Sequence, residues 1–219
     1  MKKIEIKKVL EILSKERPIF HSEKDFQFSL AWKIKSLYPE VAVRLEKPLH
    51  RNTDSTEHID IFLREGASDI GMELKYITAS LIARISEEFF FLKTHAAQDL
   101  RCYDILKDIQ RLENYTENED ISIGYSIVLT NVESLWKPKR GEKENYYDEF
   151  RIYEGRTVKG KMDWKPETSE GTKKGRTAPI NLTGEYSFNW VDYSEVKPIQ
   201  GSESISKNLF KYVIARIND

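Results

Sequence analysis

Glu57-His58-Ile59-Asp60-Ile61-Phe62-Leu63, a short break, and Ile70-Gly71-Met72-Glu73-Leu74-Lys75-Tyr76 form the stretch on which the fold turns. Both halves alternate apolar with polar residues, which is strand periodicity. Side chains alternate across a strand, so Glu73 and Lys75 share a face and lie about 6–7 Å apart along it. A hairpin loop at Glu65–Ser68 pairs Ile61 with Met72, Ile59 with Leu74 and Leu63 with Ile70 on an apolar face. The same register sets Asp60 opposite Glu73 and His58 opposite Lys75. Two acids and a lysine on one hairpin face can hold a divalent cation beside a phosphodiester. A hairpin with one wet face shows the same alternation without any site.

The chain has 219 residues, 39% hydrophobic and 32% charged. That length suits one domain with an elaboration, read here as a core over about 22–130 and a β-rich extension over about 131–219. No apolar run is long enough to span a bilayer and no signal peptide opens the sequence, so a soluble cytoplasmic protein without membrane contact is expected. One cysteine, Cys102, excludes an internal disulfide and a cysteine-rich zinc cage. With 35 basic and 36 acidic residues, net charge is −1. Charge alone does not coat nucleic acid at that balance, although local basic patches remain compatible with it.

Ile6, Val9, Leu10 and Leu13 mark a first helix over 3–16, ended by Pro18. Ser22 reads as the N-cap of a second, running to about Leu37. Glu23 and Gln27 lie on its core-facing stripe with Leu30 and Ile34, where polar groups need polar partners. A first-turn acid also simply favours the helix dipole. A strand at Val41–Leu45 precedes the hairpin, residues 79–94 read equally as helix or strand, and a long helix spans 96–115. Cys102, Ile105, Ile109 and Leu112 form its inward stripe, with Gln98 at the N-terminal end. Ile121–Leu129 alternates as a strand reached by a crossover.

Glu23, then Asp60, a gap of twelve residues, Glu73-Leu74-Lys75, and then Gln98, in the order helix, strands, helix, strand, resemble the PD-(D/E)xK nuclease superfamily. The resemblance covers residues 22–130 and departs from the name in having Ile59 where a proline stands. It implies an α/β, restriction-endonuclease-like αβββαβ core with a mixed central sheet flanked by helices. It also implies catalytic roles for Asp60, Glu73, Lys75, Glu23 and Gln98, with Asp60, Glu73 and Glu23 holding Mg²⁺ or Mn²⁺. The expected function is metal-dependent phosphodiester hydrolysis in nucleic acid, DNA ahead of RNA, with room for a homodimer. Mg²⁺ suits one or two carboxylates plus waters and substrate phosphate. Lys75, set among acids, stays protonated and acts electrostatically. A catalytically silent module of the same fold, binding nucleic acid or protein, is the alternative.

Other chemistry is weaker. The four histidines lack zinc-ligand spacing, and there is neither a Gly-rich phosphate loop nor a Gly-x-Ser-x-Gly elbow. Residues 137–178 are rich in Lys and Arg and poor in aliphatics, so they are expected to project from the domain, partly mobile, and to offer a grip for substrate through Lys173, Lys174, Arg176 or the Lys137–Lys143 cluster.

Overall fold

The computed structural model describes residues 4–49, 57–138, 144–202 and 207–218. Residues Asn52–Thr56 and the cations Lys139, Arg140 and Lys143 lie outside the described residues. The apolar stripe of the first helix, α1 (Ile6–Glu16), is buried throughout. Ser22 caps α2 (Glu23–Leu37) by accepting from the Asp25 N–H at 3.2 Å. Arg17 Nη2 donates to both oxygens of the Asp25 carboxylate, at 3.1 and 2.9 Å, and so ties the end of α1 to the start of α2.

Five strands and a helix follow α2 before the crossover strand β6 (Ile123–Thr130): β1 (Ala42–Leu49), β2 (Glu57–Glu65), β3 (Ser68–Ile77), a small hairpin of β4 (Leu81–Ile85) and β5 (Glu88–Leu92), and α3 (Gln98–Glu117). The stretch that read equally as helix or strand is that small hairpin. A short α4 (Glu133–Trp136) leads to β7 (Thr157–Met162), β8 (Ile180–Ser187), β9 (Val191–Glu195) and β10 (Leu209–Ile217). Six strands form a mixed sheet in the order β1-β2-β3-β6-β10-β9. β3 and β6 run parallel, joined through α3, while the other neighbours are antiparallel. Leu10, Phe26 and Leu30 of α1 and α2 pack with Ile61, Met72 and Leu74 on one face. Ile105, Ile109 and Leu112 of α3 pack with Ile77, Val128 and Val213 on the other.

The hairpin register is the predicted one over Ile61↔Met72 and Leu63↔Ile70, with a tighter turn in which Glu65 already pairs with Ser68. The predicted pairing of Ile59 with Leu74 does not form. The β1–β2 register is continuous, Leu45↔Ile61 and then Lys47↔Ile59, but Glu46 between them is left-handed at φ 50°. That kink exchanges the faces of both strands. Ile61 and Leu63 face α1 and α2. Ile59 instead enters the α3 side, where its Cδ1 lies over Gly71. Asp60 therefore does not sit side by side with Glu73 on one flat face.

The C-terminal part also corrects the sequence reading. β9 and β10 are not an appendage, since β10 lies between β6 and β9 inside the central sheet. Within the C-terminal part, β7 pairs with β8 as an antiparallel ladder. The described part of 137–178 is packed rather than projecting: Phe150, Ile152, Val158, Met162 and Trp164 are buried against α3. Trp164 stacks on Tyr103 with ring centroids 5.7 Å apart, and its indole N–H donates to the Arg176 carbonyl at 2.6 Å. Aromatic rings bury about 150–250 Å² each, so a segment poor in aliphatics still builds a core. Its cations are largely engaged. Arg176 forks onto Asp104 at 2.6 and 2.8 Å, Lys173 meets Glu170, Lys159 meets Glu185, and Arg156 donates to the Asp148 and Glu149 carbonyls.

A Cβ on Gly71 would stand 2.2 Å from Ile59 Cδ1 and 2.9 Å from Ile121 Cδ1. Gly71→Ala should therefore cost about 1–3 kcal/mol through overpacking. Urea unfolding is expected to show a lower midpoint at unchanged slope; a midpoint equal to wild type would mean that the face exchange at Asp60 is not as tightly packed as it stands here.

Candidate active site

The β2–β3 ladder stops at Ile61↔Met72, and beyond it β3 continues alone on that side. Its next two donors pointing toward β2 are met by side chains. The Leu74 N–H donates to Asp60 Oδ2 at 2.7 Å, and the Tyr76 N–H to Glu23 Oε2 at 2.9 Å. An unmet buried N–H costs about 1–3 kcal/mol, so each carboxylate substitutes for a missing ladder bond. Gln27 of α2 secures the opening, since its amide donates to the Asp60 carbonyl and to Glu46 Oε1, both at 2.6 Å. These are the polar partners that Glu23 and Gln27 needed on the core-facing stripe of α2. Neither Glu23 nor Asp60 uses its second carboxylate oxygen in a hydrogen bond with a described residue.

Glu73 and Lys75 share the opposite side of β3 and meet α3. Lys75 Nζ lies 2.5 Å from Asp108 Oδ2, and Arg111 Nη2 lies 2.5 Å from Glu73 Oε2 and 3.2 Å from Asp108 Oδ1. Glu73 is only 2% exposed, and its Oε1 is buried without a hydrogen-bond partner among the described residues. Asp108 and Arg111 escaped the sequence reading because each stands one residue before an apolar stripe position, Ile109 and Leu112, and looked like the edge of the wet face. Their opposite charges at i and i+3, on the helix after Glu-x-Lys, were the available signal.

Four carboxyls, Glu23, Asp60, Glu73 and Asp108, thus surround two bases, Lys75 and Arg111. Burial raises the Glu23 and Asp60 carboxyls above the ordinary range, against the lowering pull of the Tyr76 and Leu74 N–H groups and of Lys75. Burial pushes Glu73 up to about 8, with Arg111 opposing and Asp108 and Asp60 adding to the rise. Burial would lower Lys75, but Asp108, then Glu23 and Glu73, outweigh it and hold the ammonium above its usual value. The site carries more negative charge than its own bases neutralise.

Lys75 and Glu23 open onto a cleft of about 420 Å³, also lined by His21, Lys93, His95 and Arg101. Among the described residues neither Lys93 nor Arg101 has an ion-pair partner. Burial and Arg101 hold His95 below its ordinary value, which favours the neutral ring. The structure thus brings Glu23, Asp60, Glu73 and Lys75 together. Gln98 stands apart: its Oε1 accepts from Ser134 on α4, and Asp108 and Arg111 are the α3 residues that reach the motif. His58 is exposed opposite Pro48. Cys102 is a buried core residue whose thiol burial pushes up to about 12.

As a metal site the set is partial. Among the described residues no three acid, histidine or cysteine side chains stand as a ready cage. Two partly exposed carboxylates with spare oxygens, in a net negative pocket, nonetheless fit a hard cation that keeps most of its waters.

A carboxyl whose pKa is raised on folding stabilises the fold fully below its unfolded value and loses that contribution as pH rises through the folded one. Glu73 should therefore weaken the fold as pH climbs from about 4.5 toward about 8. The stability of Glu73→Gln relative to wild type is expected to improve over that window, as read by urea unfolding at a series of pH values; a pH-independent difference would mean that Glu73 stays ionised throughout. Comparison with protein-family models, curated proteins and solved structures finds no match to this chain.

Proposed function

We propose that this chain is a Mg²⁺- or Mn²⁺-dependent phosphodiester hydrolase of the restriction-endonuclease-like fold, acting on nucleic acid, DNA ahead of RNA. The element order α2-β1-β2-β3-α3-β6 supports that fold reading. One observation carries the function: Asp60 and Glu23 converge from a strand and a helix on the open edge of β3, with Glu73 and Lys75 of the same strand behind them.

Asp60 and Glu23 would hold the cation, with the Leu74 carbonyl nearby. Bound there, a divalent cation lowers the pKa of a water and stabilises charge on the phosphate. The remaining work belongs to the chain. Asp108 fixes the Lys75 ammonium and keeps it protonated, so that it faces the substrate as a preorganised positive charge. Arg111 holds Glu73 in place against α3. Lys93 and Arg101 on the rim of the cleft are positioned for flanking phosphates.

The ion pair of buried Glu73 with Arg111 favours a second reading, in which one acid of the motif is retired to a structural role and the fold serves only to bind. Cation binding separates the two.

Asp60→Asn keeps an acceptor for the Leu74 N–H, so the fold should survive while Mn²⁺ binding by calorimetry weakens and cleavage falls by on the order of 10²-fold or more. Lys75→Met should leave Mn²⁺ binding in place and remove cleavage to a similar extent. An Asp60→Asn protein that still cleaves at the wild-type rate excludes the assignment, and a wild-type protein that binds no Mn²⁺ supports the silent module. Glu73→Ala, by contrast, is expected to destabilise the fold itself by about 1–3 kcal/mol, because it leaves a gap at a buried position and leaves Arg111 with Asp108 as its remaining partner.

A further inference from the structure

We propose that the outer face of the β4–β5 hairpin is a stacking platform for unpaired nucleobases, which makes single-stranded nucleic acid the substrate class of the adjoining cleft. This deepens the phosphodiesterase reading and rests on it.

Alternation on the hairpin sends Leu81, Ala83, Phe90 and Leu92 into the core and leaves Phe89 and Phe91 outside, 47% and 67% exposed. The two exposed rings are nearly parallel, 12° apart in plane with centroids 6.2 Å apart. Arg84, opposite Phe89 in the ladder, lies over its ring at 5.1 Å while also pairing with the exposed Glu87. Large rings gathered on one wet face signal a partner.

The platform is held firmly. Phe90 stacks on His21 at 4.3 Å, His21 meets Glu88 at 2.8 Å, and Ala83 bridges to Pro198. At its root, the Thr78 hydroxyl donates to the Lys93 carbonyl at 2.7 Å, three residues beyond Lys75. Phe91, Lys93 and His95 then line the same cleft as Glu23 and Lys75. Rings and cations therefore form one continuous surface ending at the proposed reaction centre.

Two features select the occupant. Flat, co-oriented rings accept planar bases of any sequence, and Lys93 and Arg101 complement a phosphate backbone. A duplex keeps its base faces inside its own stack and cannot offer them to Phe89 and Phe91; a single strand can. Phe28 and Trp32 on α2 form another exposed pair, 6.1 Å apart, but line no part of the cleft and serve as the internal control.

The test is fluorescence anisotropy of the full chain with short labelled oligothymidylate, oligouridylate and a blunt DNA duplex, in EDTA so that nothing is cut. Phe89→Ala/Phe91→Ala and Phe89→Leu/Phe91→Leu should weaken binding of the single strands roughly tenfold or more, since each stacked base contributes about that much. Phe89→Tyr/Phe91→Tyr should restore it, and neither duplex binding nor the Phe28→Ala/Trp32→Ala control should change. Leucines binding as well as phenylalanines, or equal losses for single strand and duplex, would overturn the platform. Cleavage with Mn²⁺ is measured in parallel. Phenylalanine-dependent strand binding without cleavage by any divalent cation refutes the hydrolase and leaves the platform standing. Cleavage with unchanged strand preference in the alanine variant refutes the platform and leaves the hydrolase standing.

Discussion

The bond from the Leu74 N–H to the Asp60 carboxylate is the constraint on which the site depends. A central strand cannot leave its donors unmet in a protein interior. Where β2 turns away from β3, side-chain oxygen has to replace main-chain oxygen, and Asp60 and Glu23 supply it. The same two hydrogen bonds that keep the opened strand tolerable therefore fix two carboxylates along one edge of β3, two residues apart. Structural necessity and the proposed chemistry share these atoms, which is why Asn rather than Ala is the informative replacement at position 60.

The opening itself originates one strand further out. Glu46, left-handed between the pairs Leu45↔Ile61 and Lys47↔Ile59, exchanges the faces of β1 and β2 without changing their register. Ile59 thereby reaches the α3 side, and Gly71 is the residue small enough to receive it. Gln27 bridges Glu46 and the Asp60 carbonyl and so joins the kink to the helix that carries Glu23. Kink, glycine, amide and acids act as one unit, spread over α2, β1, β2 and β3.

Charge in this region is deliberately unbalanced. Four acids around two bases, partly or fully buried, repel one another, and burial shifts Glu23, Asp60 and Glu73 toward the proton-bound form. A further positive charge relieves that repulsion. The cleft beyond is of the opposite sign, with Lys75, Lys93 and Arg101 facing Glu23 alone among the charged side chains of its lining. A negative floor thus lies beneath a positive rim.

Local periodicity was legible without any structure. The amphipathic stripes placed α1, α2 and α3 within a few residues, strict alternation located β2, β3 and β6, and the polar residues at the head of α2 signalled partners that Glu23 and Gln27 indeed have. Burial of Glu73 against Arg111 was not legible, because it depends on where α3 lands on the sheet, and Asp108 and Arg111 looked like solvent-facing neighbours of the apolar stripe. Gln98, on the inward stripe of the helical wheel, looked the better placed of the three, yet α4 claims it through Ser134. The alternation that aligned Asp60 with Glu73 failed at a single left-handed residue, a backbone choice that Glu46 does not advertise. The 137–178 segment was misread because aliphatic content is a poor measure of a core built from Phe150, Trp164 and Tyr103. Periodicity fixes which way a side chain points within its own element; which partner waits there is decided by packing between elements far apart in the chain, and only the tertiary structure holds that information.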